Sequence, residues 1–329
     1  MKRILTSLLI LTLISRISFS QSDVTTSKPI VEIHTDFHVN LSNDANKTGF
    51  NLNRAFLGYE WSIDKNFYAT IILNAASPED LAPGSKPRRY AFLREATMNY
   101  NNDKLTITMG MIKTKIFMYQ QTFWGMRYLA KPFQDVNGYG GDSDLGIGVE
   151  YRFNEKLEAD ASIINGEGGG SIQLDNNVKA TAALSFKPTE HIYLRFYEDF
   201  MKSANVLQYT SIVFAGYKAE RGFIGGEFNF KTNMDSNAGH HSWGISATGG
   251  ITVIPKVMVF GRYDLASSVT PSGYTSNWNE QKDGNFCIAG VQYSVSKNVR
   301  LALDYQANIP YLTTKPISNM LYLNLLMKI

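Results

Sequence analysis

The sequence predicts an all-β protein: a transmembrane antiparallel β-barrel of about sixteen strands, with a long third external loop that folds inward. Two observations carry this prediction. Apolar and polar residues alternate in one segment after another, as strands with one apolar and one polar face require. The links between the segments are short and long in turn. A soluble sheet also alternates, but a barrel threaded through a membrane has a reason to keep its short links at one end and its long links at the other.

The beginning of the chain resembles a secretory signal peptide rather than a strand. Two basic residues precede an apolar stretch, residues 4–14, and serines near position 20 supply the small side chains that a signal peptidase needs. We therefore expect residues 1–20 to be a signal peptide and residues 21–329 to form the barrel. A single anchoring helix is the alternative, but the stretch is shorter than the ~20 residues that span a bilayer.

Composition argues against nucleic acid as a partner. Lys2, Arg3 and Arg16 lie in the predicted signal peptide, so removing it lowers the 32 basic residues to 29, which balance the 29 acidic ones. The mature chain is then formally neutral and lacks the basic excess that nucleic-acid binding requires. The lone cysteine, Cys287, excludes an internal disulfide.

Alternation and turn residues locate the individual strands. Residues 207–217 alternate least clearly, because both of their faces are partly apolar. The strands are predicted near residues 30–41, 50–61, 67–75, 90–100, 104–112, 143–153, 156–165, 177–187, 191–199, 207–217, 222–232, 241–253, 257–265, 285–295, 298–308 and 317–329.

The links and the aromatic residues give the barrel a direction. Links after even-numbered strands are short and polar, whereas most links after odd-numbered strands are longer. Short turns face the periplasm in outer-membrane barrels, so an exported chain would place its long links outside. Aromatic residues cluster at the short-link ends of even strands and predict a girdle at one membrane interface: Tyr59, Trp61, Tyr100, Tyr151, Phe153, Phe186, Tyr217 and Tyr293.

The rows opposite the apolar faces carry charges of both signs. Packing so many charges in a dry interior would cost much desolvation energy, so we expect a wet lumen and therefore a channel for small hydrophilic solutes or ions. The residues predicted to line this pore are Arg54, Glu60, Glu150, Arg152, Arg262, Asp264, Arg300 and Asp304.

The link formed by residues 113–142 is the longest and the most aromatic. Helical spacing of its apolar residues predicts a short helix that ends at Pro132. Such an apolar segment should fold against something, and we predict that it enters the barrel and narrows the pore. The alternative is packing over the mouth or against a neighbouring subunit. Its basic residues outnumber its acidic ones and predict a mild anion preference; the predicted constriction comprises Lys113, Lys115, Arg127, Lys131 and Asp135.

No residue pattern predicts an enzyme, a cofactor or a metal site. His34 and His38 share a strand face but stand roughly 13 Å apart in an extended strand, too far to bind one ion. The glycine run at 166–170 lacks the lysine and the helix of a phosphate-binding loop. No nucleophile and base stand out as a pair.

Several stretches within residues 50–170 resemble the porin-like barrels of Bacteroidota, a group of Gram-negative bacteria, which are related to the phosphate-selective porins. The stretches are residues 53–61 (NRAFLGYEW), 109–114 (MGMIKT), 123–129 (FWGMRYL), 144–146 (DLG) and 165–168 (NGEG). The resemblance implies a sixteen-stranded porin of the outer membrane that forms a homo-oligomer, a trimer, and through which small solutes diffuse. The mixed signs of the inward rows differ from the basic ladder of phosphate-selective porins.

The sequence therefore predicts an outer-membrane porin whose partners are membrane lipid and small solutes or anions. The alternative is a barrel without a channel, serving as an accessory in protein secretion or surface assembly. Single-channel conductance of the purified protein separates the two. A third hypothesis, an outer-membrane hydrolase, would need His, Asp and Ser near the outer rim.

Overall fold

The computed structural model describes residues 26–42, 48–76, 89–173, 175–203 and 205–329. The predicted signal peptide, residues 1–20, lies outside the described residues, as does most of the second long link, residues 77–88. Within the described ranges, no helix is long and apolar enough to cross a membrane.

Sixteen antiparallel strands form in the described chain, each within a few residues of its predicted range. Each begins and ends where the period-2 pattern gives way to turn residues. The strands are β1 (Ser27–Asn40), β2 (Gly49–Ser62), β3 (Phe67–Ala76), β4 (Tyr90–Asn101), β5 (Leu105–Lys113), β6 (Ser143–Arg152), β7 (Leu157–Ile164), β8 (Lys179–Phe186), β9 (Ile192–Ser203), β10 (Val206–Lys218), β11 (Gly222–Thr232), β12 (Ser242–Ile254), β13 (Val257–Ser268), β14 (Gly284–Ser294), β15 (Val299–Pro310) and β16 (Ser318–Lys328).

The sheet closes into a barrel because β1 pairs with β16 as well as with β2. In this seam Phe37 lies opposite Leu323, and Lys328 forms an ion pair with Glu32 at 3.1 Å. A closed sheet has no edge strand, so its backbone groups are satisfied from both sides, which is the condition for a β-structure to span hydrocarbon. The predicted fold class is confirmed.

The two faces of the sheet differ as the alternation predicts. Outward side chains form an apolar surface, and inward ones are largely polar or charged. Exposed outward residues include Leu57, Ile71, Met98, Met109, Ile147, Ile163, Val213, Ile224, Val259, Val291, Leu303 and Leu323. Buried inward residues include His34, Arg54, Asn99, Asp160, Arg195, Asp199, Arg262, Asp304 and Asn324. At the ends of even strands, exposed aromatic rings include Trp61, Phe153, Phe186, Tyr217 and Tyr293.

Short and long links alternate around the barrel, which defines a short-link end and a long-link end. One link departs from the prediction: β9 continues to Ser203, past its expected end at residue 199, and β10 begins at Val206. Phe200 and Lys202 extend the ladder by pairing with Tyr209 and Leu207. The result is a tight hairpin at the long-link end, where the other links are longer.

A bulge in β4 turns two consecutive side chains into the barrel. Ile72 of β3 pairs with Glu95, but its neighbour Leu73 pairs with Leu93, so Arg94 is left as the extra residue. Arg94 and Glu95 are both buried, at 3% and 7% exposure. Strict alternation would have placed Arg94 on the lipid-facing row; the bulge reorients it.

Residues 113–142, here called the inner loop, fold into the barrel as predicted. They contain two short helices, α1 (Met118–Trp124) and α2 (Phe133–Val136). The predicted helix ends at Trp124 rather than at Pro132, because Gly125 adopts the left-handed conformation with φ of 71° and donates its N–H to the Gln121 carbonyl. Pro132 instead precedes α2.

Candidate functional site: the inner loop and the lumen

Side chains of the barrel wall hold the inner loop by its backbone. Six of them donate hydrogen bonds to loop carbonyls: Arg195 to Lys115 (3.4 Å), Lys218 to Phe123 (3.2 Å), Arg300 to Gly125 (3.1 Å), Gln306 to Leu129 (3.2 Å), Arg262 to Lys131 (2.8 Å) and Lys231 to Tyr139 (2.8 Å). Lys218 and Arg300 lie near the short-link ends of their strands, whereas Lys231 lies near the long-link end of β11. The loop therefore runs through the barrel toward the short-link end, reaches its furthest point at Phe123 and Gly125, and returns toward the long-link end.

Two glycines of the wall leave space for the part of the loop that lies nearest the short-link end. Gly216 of β10 pairs with Gly225 of β11. A Cβ at Gly216 would lie 2.6 Å from the Phe123 ring, and one at Gly225 would lie 2.7 Å from it. Phe123 is 4% exposed and makes edge contacts with Phe214 and Phe223 at centroid distances of 5.1 and 5.7 Å. Only glycine lets the ring approach the wall this closely.

A second contact anchors the returning part of the loop. Phe133 of α2 lies against Gly244 of β12, where any Cβ would overlap its ring. Gln134 is fully buried, and its Nε2 donates to Glu227 at 2.8 Å and to Asn229 at 2.7 Å. Together with the Phe123 contact, this packs the apolar side chains of the loop against the wall formed by β8–β15.

The first residues of the loop separate two sets of cavities. Lys113 and Lys115 line a cavity of about 190 Å³ toward the short-link end. Thr114 and Ile116 line a cavity of about 520 Å³ toward the long-link end. Alternate residues of an extended backbone point in opposite directions, so residues 113–116 form a thin partition between these two cavities.

A cluster of arginines lies beside this partition. Arg94 donates Nε to Asp142 at 3.0 Å, and Arg54 lies 3.6 Å from the same carboxylate. Both guanidiniums stack on Phe56, at 4.4 and 4.5 Å from its ring centre. Burial opposes ionisation of Asp142, but the charges of Arg94, Arg54 and Arg127 outweigh it and lower the pKa of this carboxyl. The carboxylate therefore stays charged at neutral pH.

The five residues predicted to form the constriction lie in the inner loop, and most carry a charge partner. The pairs are Lys113 with Glu95 (3.0 Å), Lys115 with Glu150 (2.5 Å) and Arg127 with Asp135 (3.0 Å). Lys131 accepts a hydrogen bond from Arg262 through its backbone carbonyl. These pairs neutralise much of the positive charge that the sequence shows, so the remaining excess lies in the arginines around Asp142.

The residues predicted to line the pore fall into two groups. Arg54, Arg262, Asp264 and Asp304 are buried, whereas Glu60, Glu150, Arg152 and Arg300 are at least partly exposed toward the short-link end. The buried members hold the interior together: Arg262 binds Asp264 through Nε at 2.8 Å. The lumen is thus packed around the loop, with separate cavities beside it, rather than uniformly wet.

Three wall residues that matter for the loop escaped the sequence analysis: Arg94, Arg195 and Lys218. Arg94 was hidden by the bulge. Arg195 lies on the inward row of β9 and pairs with Asp160 at 2.7 Å, so alternation could have found it. Lys218 ends β10, where the face of a residue is hard to assign.

The described residues contain no group of three or more metal ligands. The two histidines of β1 instead bind neighbouring carboxylates, His34 to Glu32 at 2.8 Å and His38 to Asp36 at 2.6 Å.

No protein-family model and no curated protein match the chain, but solved structures do. OmpF of Salmonella typhi is 12% identical with a TM-score of 0.70, covering 93% of this chain and 98% of that one. The outer membrane channel DcaP of Acinetobacter baumannii is 11% identical with a TM-score of 0.66, covering 94% and 99%. The trimer form of OmpT, an outer membrane protein of Vibrio cholerae, is 11% identical with a TM-score of 0.62, covering 93% and 100%. The chain therefore has the fold of outer-membrane porins and channels.

Proposed function

We propose that this protein is an outer-membrane porin, a water-filled diffusion channel for small hydrophilic solutes or ions. The observation that carries the proposal is the partition: inside a closed barrel, residues 113–116 line one cavity toward the short-link end and another toward the long-link end. A solute would have to pass this segment to cross the barrel.

The proposal includes location and assembly. A signal peptide at residues 1–20 would deliver the chain to the periplasm, from which the barrel would enter the outer membrane of a Gram-negative bacterium with its short links inside. A homotrimer is proposed because a similar fold, the Vibrio cholerae protein, is recorded in a trimer form.

The proposal also includes a mild anion preference. Arg54 and Arg94 share the carboxylate of Asp142, and Arg127 lies close enough to influence its charge. The lysines of the partition are paired one to one with carboxylates. The net charge of these residues is therefore small and positive, and basic residues at a constriction favour anions.

Planar-bilayer recording of the purified protein tests the proposal. We expect stepwise conductance. In a salt gradient, the reversal potential should have the sign that indicates anion selectivity. Lys115→Ala, which removes a side chain from the partition and frees Glu150, should raise the conductance and reduce the anion preference. Lys297→Ala is the matched control, because Lys297 lies in an exposed short link away from the partition.

Absence of conductance from a correctly folded barrel would contradict the channel and favour the accessory role. A cation-selective reversal potential would contradict only the anion preference.

A further inference from the structure

A cavity beneath the inner loop has the dimensions of a small-molecule site. It has a volume of about 440 Å³ and lies between α1 and the short-link halves of β6–β10. Ligand sites in proteins range over roughly 300–1,000 Å³ and combine apolar walls with a few polar groups. Here the rings of Tyr119, Phe123 and Tyr193 provide the apolar part.

The charges around this cavity do not cancel. Each carboxylate has a cationic partner: Glu150 has Lys115 (2.5 Å), Asp160 has Arg195 (2.7 Å) and Glu158 has Arg152 (4.0 Å). Two further ammonium groups, those of Lys187 and Lys218, line the same cavity. Across the part of the chain that the structure describes, neither has a carboxylate within ion-pair distance.

The two ammonium groups are held by aromatic rings that touch each other. Lys187 lies 5.0 Å above the Tyr193 ring, and Lys218 lies 5.6 Å from the Phe123 ring. Phe123 and Tyr193 meet edge to face at 5.4 Å. Lys218 also donates one hydrogen bond to the Phe123 carbonyl at 3.2 Å. An ammonium has three N–H donors, so both lysines retain donors for a ligand.

From these observations we propose that the cavity is a binding subsite for small aromatic carboxylates on their way through the channel. The carboxylate would accept hydrogen bonds from Lys187 and Lys218, and the ring would lie against Tyr193 and Phe123. Both features are needed: the ring contacts favour a planar apolar group over an inorganic anion, and the surplus ammonium groups favour an anion over a neutral aromatic. The inference rests on the proposed channel function only for the role of the ligand as a transported solute.

Equilibrium binding of benzoate to the detergent-solubilised protein tests the subsite without requiring conduction. Ligand-observed NMR should detect benzoate, with weaker binding of benzyl alcohol, which lacks the charge, and of acetate, which lacks the ring. Lys187→Gln should weaken benzoate binding about fivefold or more, since a charge-assisted hydrogen bond is lost. Tyr193→Ala should weaken it as well, whereas Tyr193→Phe should preserve it.

Lys297→Gln is the matched control, because it removes the same charge at the same end of the barrel outside the cavity. Its benzoate affinity should equal that of the unchanged protein. Equal affinities for benzoate, benzyl alcohol and acetate would overturn the inference, and so would equal losses in Lys187→Gln and Lys297→Gln. A protein that conducts but does not select benzoate would refute the subsite alone; one that binds benzoate but does not conduct would refute the channel.

Discussion

Asp142 is the carboxylate on which the charge balance of the lumen depends. It lies at the end of the inner loop and neutralises part of the charge of Arg54 and Arg94, which reach it from two different strands. Both guanidiniums also stack on the ring of Phe56, so we expect them to remain in place if the carboxylate is removed.

Asp142→Asn should therefore make the channel more anion-selective. The substitution removes one negative charge and leaves the nearby arginines uncompensated, so the reversal potential in a salt gradient should shift toward that of the anion. Glu220→Gln, in an exposed short link, is the control and should leave the reversal potential unchanged. An unchanged reversal potential in Asp142→Asn would show that Asp142 does not face the conduction path.

The carboxylate of Asp142 should become protonated at a lower pH than an ordinary aspartate. Its pKa lies below the usual 3.8, so its ion pairs contribute to the free energy of unfolding above pH 3.8 and are lost only as the pH falls through the lowered value. The difference in reversal potential between the unchanged protein and Asp142→Asn should persist at pH 3.8 and vanish below it. Reversal potentials recorded while the pH is stepped down check this, and a difference that vanishes well above pH 3.8 would contradict the lowered pKa.

The sequence predicted some of these residues and missed others for a definite reason. Alternation assigns a side chain to a face, and it placed Arg54 inward correctly. Arg94 was not singled out, and strict alternation would assign it to the lipid row, because a bulge shifts the alternation by one residue and cannot be seen in a two-residue pattern. An arginine on a lipid face was itself the available indication, since such a residue is costly there.

Among the elements, the position of the inner loop accounts for the apolar inward residues of the strand β10. The alternation of β10 was indistinct because its inward residues Ile212 and Phe214 are apolar. They are buried at 1% and 3% exposure because α1 packs against the lumen side of this strand. Apolar residues on both faces of a barrel strand, together with a glycine such as Gly216, thus indicated where the loop would lie. Contacts between particular residues across the lumen could not be read from the sequence, since they depend on the barrel's closure.

Gly225→Ala should disturb the loop while the barrel remains folded. The new methyl group would overlap the Phe123 ring, and overpacking of this kind costs about 1–3 kcal/mol. We expect noisier channel openings and easier proteolysis within the inner loop. Combining it with Phe123→Leu should restore part of the loss.

Gly49→Ala is the matched control for this experiment, because nothing lies within 4 Å of a Cβ at Gly49. If Gly225→Ala and Gly49→Ala behave alike, the contact between Phe123 and the glycine pair does not hold the loop.

At the scale of the whole molecule, closure of the sheet determines how the protein resists denaturation. All sixteen strands pair on both sides, so no strand can separate without breaking two ladders. The apolar outer surface also requires a membrane or detergent around it.

The folded barrel should therefore survive in SDS at room temperature and unfold on heating. On a gel, the unheated protein should migrate at a different position from the heated one, and its extraction from membranes should require detergent. Lys328→Ala, which removes an exposed ion pair at the seam, should leave the transition temperature nearly unchanged. A mobility that does not depend on heating would contradict a closed membrane barrel.

The contacts of the inner loop also imply an order of events during assembly. The side chains that donate hydrogen bonds to the carbonyls of the loop belong to β9, β10, β11, β13 and β15, all of which follow the loop in the chain. The loop cannot reach its final position until these later strands have come together, so it is among the last parts of the molecule to become ordered. A newly closed barrel would accordingly pass through a wide-bore stage before it narrows, and its permeability would fall as it matures.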